Sequence, residues 1–283
     1  MQFSSNEGEH RYAALVRSAS RTVVGLDFDG TLAPIVDDPT QAHIHPDAPS
    51  VLIDLAAEVA AIAVITGRPA RQALDLGGLE EVGEELSRLG KELYLFGQYG
   101  NERWSTHERR IITPRPARGL ASFERELPRV LRQAGVLDAY VEDKGLGVAV
   151  HTRRMADPVA AYHRMVGPLR ELAERTGLMV EPGRNVVEIR SPGADKGQVV
   201  DALVARLEPE GFLFAGDDLG DVEAFEALGR LAPDLAVLRV CSGSEEESAL
   251  LAMADVVVPG PDGVLDLLST FAEDARETRR ALA

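Results

Sequence analysis

Short apolar runs that end in polar, glycine-containing turns recur along the chain. Thr22–Phe28 is a β-branched apolar run that ends in acidic residues, and Ala61–Ile65 is a second run that ends at Thr66-Gly67-Arg68. Continuous apolar runs of this length are typical of strands buried on both faces. Between them, Pro46–Ala60 has the pattern of a helix with proline near its start. Strand, helix and strand in this order predict a βαβ crossover in a parallel sheet.

The same rhythm returns in the last third of the chain. Asp195 is a candidate cap for the helix Lys196–Leu207, and a polar-faced helix is expected to close the chain. The elements expected between these two helices are a strand at Phe212–Ala215, a helix from Val222, a strand at Leu235–Val240, a helix near Glu245–Met253 and a strand at Asp255–Val258. These elements extend the same parallel α/β core.

The middle of the chain follows a different pattern. Its candidate strands are Val141–Lys144, Gly147–Thr152, Met179–Glu181 and Val186–Arg190. A helix with Asp157 as N-cap and Gly177 as its stop separates the two strand pairs. Runs that leave the parallel rhythm predict an inserted α+β domain, or lid. We therefore expect an α/β core at 1–104 and 191–283 and an inserted cap at 105–190.

Composition and charge narrow the functional classes. The 283 residues carry a net charge of −16, which argues against a general nucleic-acid binder. No apolar stretch has the length of about 20 residues that a membrane span needs. The start of the chain lacks an export pattern, and Cys241 is the only cysteine, so we expect a cytoplasmic protein. Its basic middle segment suits an anionic small-molecule substrate, and a monomer is compatible with the sequence.

The first chemical motif is the carboxylate pair at the end of the first strand. Asp27 and Asp29 are two positions apart, and Gly30 permits a turn that brings both onto one ligand. A carboxylate is a competent nucleophile on phosphorus, and a second one serves as acid and base. A calcium loop is less suitable because it needs a third oxygen ligand before its glycine. Ordinary turn residues at a strand end are the remaining alternative.

Three further groups lie at the ends of predicted strands or at a helix start. Thr66 follows the second strand, where its hydroxyl and nearby backbone N–H groups can hold a phosphoryl oxygen, although a helix N-cap explains it equally well. Lys196 opens a helix, which favours an anion, although a surface lysine is the alternative. Asp217, Asp218 and Asp221 place three carboxylates in five residues, a density that calls for a cation. Open α/β sheets bind ligands at this edge.

The order of these four groups resembles the haloacid dehalogenase superfamily. The resemblance implies that Asp27 becomes phosphorylated, that Asp29 is the acid and base, and that Thr66 and Lys196 hold the phosphoryl group. It also implies a Mg²⁺ site, whose ligands are Asp27, Asp29 through its carbonyl, Asp217, and Asp221 through the water shell. Gly30, Gly67 and Arg68 are expected to contact the substrate. An oxygen-rich ligand set favours Mg²⁺ over zinc.

Several strings resemble the trehalose-6-phosphate phosphatase family, in the family's order. They are Leu26–Ile35, Thr66–Arg68, Gly97–Glu102, Val141–Lys144 with His151–Arg153, and Gly183–Arg190 with Lys196-Gly197. The resemblance implies that the cap binds sugar hydroxyls through Glu142, Lys144, His151, Arg184 and Glu188. Taken without the family, Glu142 with Lys144 is equally an exposed ion pair, and His151 and Glu188 are ordinary residues of a sheet face.

The chain departs from the family pattern at the acidic turn and in the cap. Gly220 stands where the family has threonine, Val222 where it has an acidic residue, and Thr152 where it has tyrosine. These changes bear on ligand orientation and substrate identity. The alternatives are therefore another capped phosphatase, acting on sucrose phosphate or glucosyl-3-phosphoglycerate, and a catalytically silent sugar-phosphate sensor. A phosphosugar mutase is a weaker alternative, because it must exclude water.

Overall fold

A computed structural model describes residues 2–36, 38–183, 185–243 and 248–282. The chain divides into two compact units, which we call the larger unit (Met1–Thr113 with Ala194–Ala283) and the smaller unit (Pro114–Gly193). The boundaries differ from the predicted cap at 105–190. Residues before Thr113 belong to the larger unit because Ile112 pairs with Arg103, which lies in the strand Glu102–Ser105 of that unit.

The larger unit is built on one eight-stranded sheet. Its strands are β1 (Gln2–Phe3), β2 (Thr22–Leu26), β3 (Ala61–Ile65), β4 (Glu92–Gly97), β5 (Glu102–Ser105), β10 (Gly211–Gly216), β11 (Ala236–Ser242) and β12 (Val256–Val258). The order is β1-β12-β11-β10-β2-β3-β4-β5, parallel except at the two edge strands β1 and β5. The predicted parallel core is confirmed.

Helices cover both faces of this sheet. They are α1 (Asn6–Arg17), α2 (Ala48–Ala56), α3 (Ala70–Gly77), α4 (Leu79–Arg88), α7 (Lys196–Leu207), α8 (Val222–Leu231), α9 (Ser248–Met253) and α10 (Gly260–Leu282). Alternate strand residues face two separate cores: Leu213 and Ala215 lie in one, and Phe212 and Phe214 in the other. This two-sided burial is the reason the central strands are apolar throughout.

The smaller unit is an antiparallel sheet with helices. Its strands are β6 (Tyr140–Asp143), β7 (Gly147–His151), β8 (Met179–Gly183) and β9 (Val186–Arg190), in the order β6-β7-β9-β8. Its helices are α5 (Leu120–Gln133) and α6 (Pro158–Thr176). Val148, Val150, Val187 and Ile189 bury one face of the sheet in the same core as residues from both helices. The predicted α+β character of the insertion is confirmed.

Most of the predicted bounds of helices and strands agree with the structure. Helix α6 begins after Asp157, whose side chain accepts a hydrogen bond from Ala160 N, and it ends at Gly177 with φ of 69°. The helix predicted at Pro46–Ala60 is shorter at both ends, and the start of the helix near Glu245 lies outside the described residues. The sequence reasoning proposed no elements for β1, α1, α3, α4, β4, β5 and α5. No helix among the described residues has the length and apolarity to cross a membrane.

Candidate active site

The predicted chemical groups converge at one edge of the larger unit's sheet. Asp27 follows β2, Thr66 follows β3, and Asp217 follows β10, all at carboxyl ends of neighbouring parallel strands. Lys196 is the first residue of α7, which Asp195 caps through a hydrogen bond from Gln198 N. The side chains of these four residues, Asp27, Thr66, Lys196 and Asp217, are buried.

Lys196 is the cation at the centre of this group. Its side chain is only 2% exposed, and Nζ lies 2.7 Å from Asp27 Oδ1 and 2.6 Å from Asp221 Oδ1. Burial alone lowers the pKa of Lys196, but the charges of Asp221 and Asp27 raise it well above its usual value. Lys196 is therefore a charged ammonium held between two carboxylates.

Asp221 organises the acidic turn. Its Oδ2 accepts hydrogen bonds from the backbone N–H groups of Asp217 (2.9 Å) and Asp218 (3.2 Å), while its Oδ1 binds Lys196. A Cβ at Gly216 would overlap the Asp221 carboxylate, so glycine is required there. The turn that carries Asp217 is thus fixed by a fully buried aspartate and not by solvent.

The carboxylates of Asp27, Asp217 and Asp221 form a buried acidic cluster. One oxygen of each lies within 4.8 Å of the others. Burial raises the pKa of Asp27 well above its ordinary value, against the lowering effect of Lys196. Burial, followed by the charge of Asp27, raises the pKa of Asp217 to about 10. Burial and the charge of Asp221 raise the pKa of Asp218 to about 6.

These residues fit a divalent cation. Asp27 Oδ1 is buried, and its neighbour among the described residues is the ammonium of Lys196 at 2.7 Å. Three converging carboxylates with one ammonium leave excess negative charge in a buried place, and a hard cation with oxygen ligands relieves it. The donor set consists of oxygens only, which suits Mg²⁺ better than zinc.

Gly30 turns the chain directly after the carboxylate pair Asp27 and Asp29. Its φ is 69°, its N–H donates to Ala33 O at 2.7 Å, and a Cβ there would overlap the Asp217 carboxylate. The buried hydroxyl of Ser242 donates to Gly30 O at 2.6 Å. Glycine is needed because the conformation is left-handed and because the acidic turn approaches closely.

Asp29 and Arg68 form a bidentate ion pair. Arg68 Nε and Nη2 donate to the two oxygens of Asp29 at 2.7 and 2.6 Å. Arg68 Nη1 donates to Pro39 O at 2.8 Å, and the guanidinium lies 5.4 Å from the centre of the Phe28 ring. The structure thus places Arg68, predicted to contact the substrate, against the proposed acid and base. Forked geometry of this kind fixes a carboxylate in orientation as well as in position.

Thr66 and Gly67 lie in a turn that the next chain segment braces. Thr66 Oγ1 accepts a hydrogen bond from Arg68 N at 3.1 Å. Thr66 O accepts from Tyr99 N at 2.9 Å, and Arg68 O accepts from Gln98 N at 2.8 Å. The helix α3 that follows is held by the buried Glu102, whose Oε2 accepts from Ala70 N at 2.6 Å.

The sequence analysis gave no role to Ser242, and it included Tyr99 and Glu102 only as members of a motif. Ser242 lies at the end of β11, so its place at a strand end was an available signal. Tyr99 and Glu102 belong to the Gly97–Glu102 string, which attracted attention as a motif without a role for either side chain. Their roles depend on contacts between segments that are far apart in sequence.

The polar face of the smaller unit carries the other predicted residues in pairs. His151 Nε2 lies 2.9 Å from Glu142 Oε2, and Lys144 Nζ donates to Glu188 Oε2 at 2.7 Å. Sequence reasoning did not foresee a third pair on this face, in which Arg190 Nη2 donates to Glu181 at 2.9 Å. The predicted Arg184 lies outside the described residues.

Known proteins resemble this chain over nearly its whole length. The sequence model of the trehalose-phosphatase family matches residues 25–256. An uncharacterized glycosyl hydrolase of Mycobacterium tuberculosis is 32% identical over 279 residues, which are 94% of this chain and 19% of that protein. A trehalose-phosphate phosphatase of Mycobacterium bovis is 28% identical over 267 residues, which are 92% of this chain and 63% of that protein. The chain thus spans less than two thirds of the length of these relatives.

Solved structures resemble the chain in fold. The C-terminal domain of a trehalose-6-phosphate phosphatase of C. albicans gives a TM-score of 0.75 at 20% identity and covers 96% of this chain and 98% of that one. A haloacid dehalogenase-like hydrolase from Bacteroides thetaiotaomicron gives 0.57 at 14% identity, with 88% and 98% covered. The predicted haloacid dehalogenase type of fold, with an inserted cap, is confirmed.

Proposed function

Because the chain belongs to the trehalose-phosphatase family, we propose that it hydrolyses trehalose 6-phosphate to trehalose and inorganic phosphate, in the cytoplasm. The observation that carries the proposal is the buried arrangement of Asp27, Lys196, Asp217 and Asp221 at the carboxyl edge of the parallel sheet. A structural role would leave this concentration of buried charge without a purpose, because each buried carboxylate has a cost in stability.

We propose Asp27 as the nucleophile. One of its carboxylate oxygens forms a bond to phosphorus, and the bond between phosphorus and the sugar oxygen breaks. Asp29 first takes up a proton, which releases its ion pair with Arg68, and then donates it to that sugar oxygen as the free sugar leaves. Asp29 then takes a proton from water, the water oxygen attacks phosphorus, and Asp27 is released as a carboxylate together with inorganic phosphate.

Two other core residues would hold the phosphoryl group. Lys196 is charged and buried next to Asp27, so its ammonium can neutralise phosphoryl oxygens without reorganisation of solvent. Thr66 lies in the turn after β3 and would bind through its hydroxyl, with the backbone of Gly67 and Gly30 beside it. Arg68 acts through Asp29 in this proposal, because its donors are bound to Asp29 and Pro39.

We propose Mg²⁺ as the cofactor, held by Asp27, Asp217, the carbonyl of Asp29 and, through water, Asp221. When bound, the ion supplies positive charge that offsets the charge of the carboxylate cluster and of the substrate phosphate. Asp221 already orders the Asp217 backbone and binds Lys196, so its main contribution is to orient the residues around the ion.

The polar face of the smaller unit supplies candidate sugar-binding groups. We propose that Glu142, Lys144, His151 and Glu188 bind sugar hydroxyls, and the sequence resemblance adds Arg184. The pairs Glu142–His151 and Lys144–Glu188 keep the donors and acceptors half-buried and oriented before the sugar arrives. Side chains that are already ordered lose less entropy on binding.

The test of the proposal is phosphate release with Mg²⁺ and with a chelator. The substrates are trehalose 6-phosphate, sucrose 6-phosphate, glucose 6-phosphate and glucosyl-3-phosphoglycerate. We expect metal-dependent release with a strong preference for trehalose 6-phosphate. Metal-dependent release that favours another substrate would retain the Asp27 chemistry and overturn the substrate. If no phosphate is released from any of the four substrates, the proposed phosphatase activity is wrong, and a sugar-phosphate sensor is favoured.

The sugar-binding residues need a separate test. Glu188→Gln keeps the size of the side chain and weakens the ion pair with Lys144. We expect about a 10-fold to 100-fold loss in kcat/KM for trehalose 6-phosphate, because unpaired polar groups in a sugar site cost affinity. Hydrolysis of p-nitrophenyl phosphate, which has no sugar hydroxyls, should change little. An equal loss on both substrates would contradict the sugar-binding role.

A further inference from the structure

The aromatic ring of Tyr99 lies between two glycines of the proposed active site. A Cβ at Gly67 would be 2.8 Å from both Cζ and Oη of Tyr99, which is closer than real side chains approach. A Cβ at Gly220 would be 3.5 Å from Cε1 of the same ring, an ordinary van der Waals contact. The ring therefore covers the Cα of Gly67 with one edge and reaches Gly220 with another.

These two glycines belong to the two turns on which the proposed chemistry depends. Gly67 is in the Thr66–Arg68 turn, which would bind the phosphoryl group. Gly220 is in the short 3-10 turn Leu219–Asp221, between Asp218, which accepts its N–H at 2.9 Å, and the buried Asp221. The ring of Tyr99 contacts the first turn and lies next to the second.

The backbone at Tyr99 is held in an unfavourable conformation. Gln98 and Tyr99 have φ of 48° and 59°, the left-handed region that non-glycine residues rarely adopt. The hydrogen bonds Gln98 N to Arg68 O and Tyr99 N to Thr66 O hold the segment against the phosphate-binding turn. Strain of this kind persists where surrounding contacts fix it, often at functional sites.

We propose that Tyr99 is a positioning residue that sets the spacing between the phosphate-binding turn at Gly67 and the acidic turn at Gly220. This inference rests on the proposed phosphatase function, because it assigns those turns to phosphate and metal. The ring acts as a rigid spacer, and the missing side chain at Gly67 leaves the room that it occupies, while its other edge lies next to Gly220. Substrate phosphate and cation are then held at a fixed separation.

The experiment compares Tyr99→Ala with Tyr99→Phe by calorimetric titration of orthovanadate in the presence of Mg²⁺. Orthovanadate mimics the phosphoryl group, and its binding needs no turnover. We expect Tyr99→Ala to weaken binding about tenfold or more, since small misplacements of binding groups are costly. Tyr99→Phe keeps the ring and should stay within about threefold of the unmodified chain.

Tyr162→Ala is the matched control. It removes a partly buried tyrosine ring from the smaller unit, so it reports the effect of lost packing in general. We expect it to lower the melting temperature without changing orthovanadate affinity. Unchanged affinity in Tyr99→Ala, or an equal loss in Tyr162→Ala, would overturn the positioning role. If the unmodified chain binds orthovanadate but does not hydrolyse trehalose 6-phosphate, the proposed function is wrong. The comparison of orthovanadate affinities then still tests the positioning role of Tyr99.

A double-substitution cycle tests the contact with Gly220. Gly220→Val places a Cβ 3.1 Å from Asp218 Oδ1 and further atoms next to the ring. We expect it to reduce orthovanadate affinity about tenfold in the unmodified chain, with the part due to Asp218 retained in either background. In the Tyr99→Ala background the ring is gone, so the further loss caused by Gly220→Val should be about threefold or less. Equal losses in the two backgrounds would show that Tyr99 and Gly220 act independently and would overturn the spacer proposal.

Discussion

The core site and the polar face of the smaller unit use buried charge in opposite ways. Around Asp27, three carboxylates share one ammonium. Burial and the charge of Asp221 raise the pKa of Asp27, and burial and the charge of Asp27 raise the pKa of Asp217. On the polar face, acidic groups have basic partners across the sheet, as Glu142 has His151 and Glu188 has Lys144. The first arrangement is electrostatically incomplete by itself, and the second is balanced.

We infer from this difference that a ligand stabilises the fold at the core site and that the polar face selects which ligand binds. An incomplete buried cluster gains from a cation, so metal binding and stability are coupled there. A balanced set of pairs is stable without a ligand, so a substitution there changes which sugar is bound more than whether the chain folds. The following predictions compare the two regions.

The largest expected effect is that of Lys196→Met compared with Lys144→Met. Removal of Lys196 leaves the carboxylates of Asp27 and Asp221 without their cation, which we expect to cost about 3–5 kcal/mol in the free energy of unfolding. Turnover should fall by more than about 1000-fold. Removal of Lys144 takes the ammonium away from Glu188 and should cost about 1–3 kcal/mol. Denaturant unfolding measures the loss of stability, and phosphate release measures the loss of turnover. Similar losses in Lys196→Met and Lys144→Met would contradict the difference between the core site and the polar face.

A smaller effect is expected from Arg68→Lys. Lysine cannot reproduce the bidentate contact to Asp29, so the proposed acid loses its orientation. We expect turnover of trehalose 6-phosphate to fall about 10-fold to 100-fold, within the usual contribution of acid–base catalysis. Hydrolysis of p-nitrophenyl phosphate should fall much less, because its leaving group needs no proton. Equal losses on both substrates, with weaker phosphate binding, would instead make Arg68 a phosphate ligand.

The smallest expected effect is the dependence of Mg²⁺ binding on pH. Because the pKa of Asp217 is raised from 3.8 to about 10 in the folded chain, the folded state retains a proton that the unfolded state loses. Stability of the metal-free chain should therefore fall as pH rises through this window. Mg²⁺ must displace the proton, so its apparent affinity should rise by about tenfold between about pH 7 and about pH 8, one factor of ten for each pH unit below the pKa.

Calorimetry in two buffers of different ionisation enthalpy measures the displaced proton directly. Asp217→Asn, which has no such proton, is the matched control, and its Mg²⁺ titration should show less proton release. Proton uptake on binding, or an affinity that falls with pH, would contradict the direction of the shift.

The core site was more predictable from sequence than the polar face. Asp27, Thr66 and Asp217 each follow an apolar strand, so the parallel sheet alone brings them to one edge. The helix α6 was predictable to the residue because Asp157, Pro158 and Gly177 are local signals. The resemblance to the trehalose-phosphatase family is confirmed by the match over residues 25–256.

The remaining contacts depend on pairing across sequence distance. Nothing local to Arg68 indicates that its guanidinium binds Asp29 and not a phosphate, since 39 positions separate the two. Ser242 reaches Gly30 from β11, and Arg190 reaches Glu181 across two strands. Helices α3 and α4 lack the side-chain N-cap of α6, and Gly78 serves both as the end of α3 and as the start of α4.

The most direct test of the central claim is chemical trapping of the phosphorylated residue. The chain is mixed with trehalose 6-phosphate and Mg²⁺, quenched with acid within the first turnover, reduced with borohydride and digested for mass spectrometry. We expect the acyl phosphate on Asp27, where mass spectrometry detects it as a reduced side chain. We expect Asp27→Asn to form no acyl phosphate and to release no phosphate. An acyl phosphate on another residue, or undiminished phosphate release by Asp27→Asn, would contradict the account.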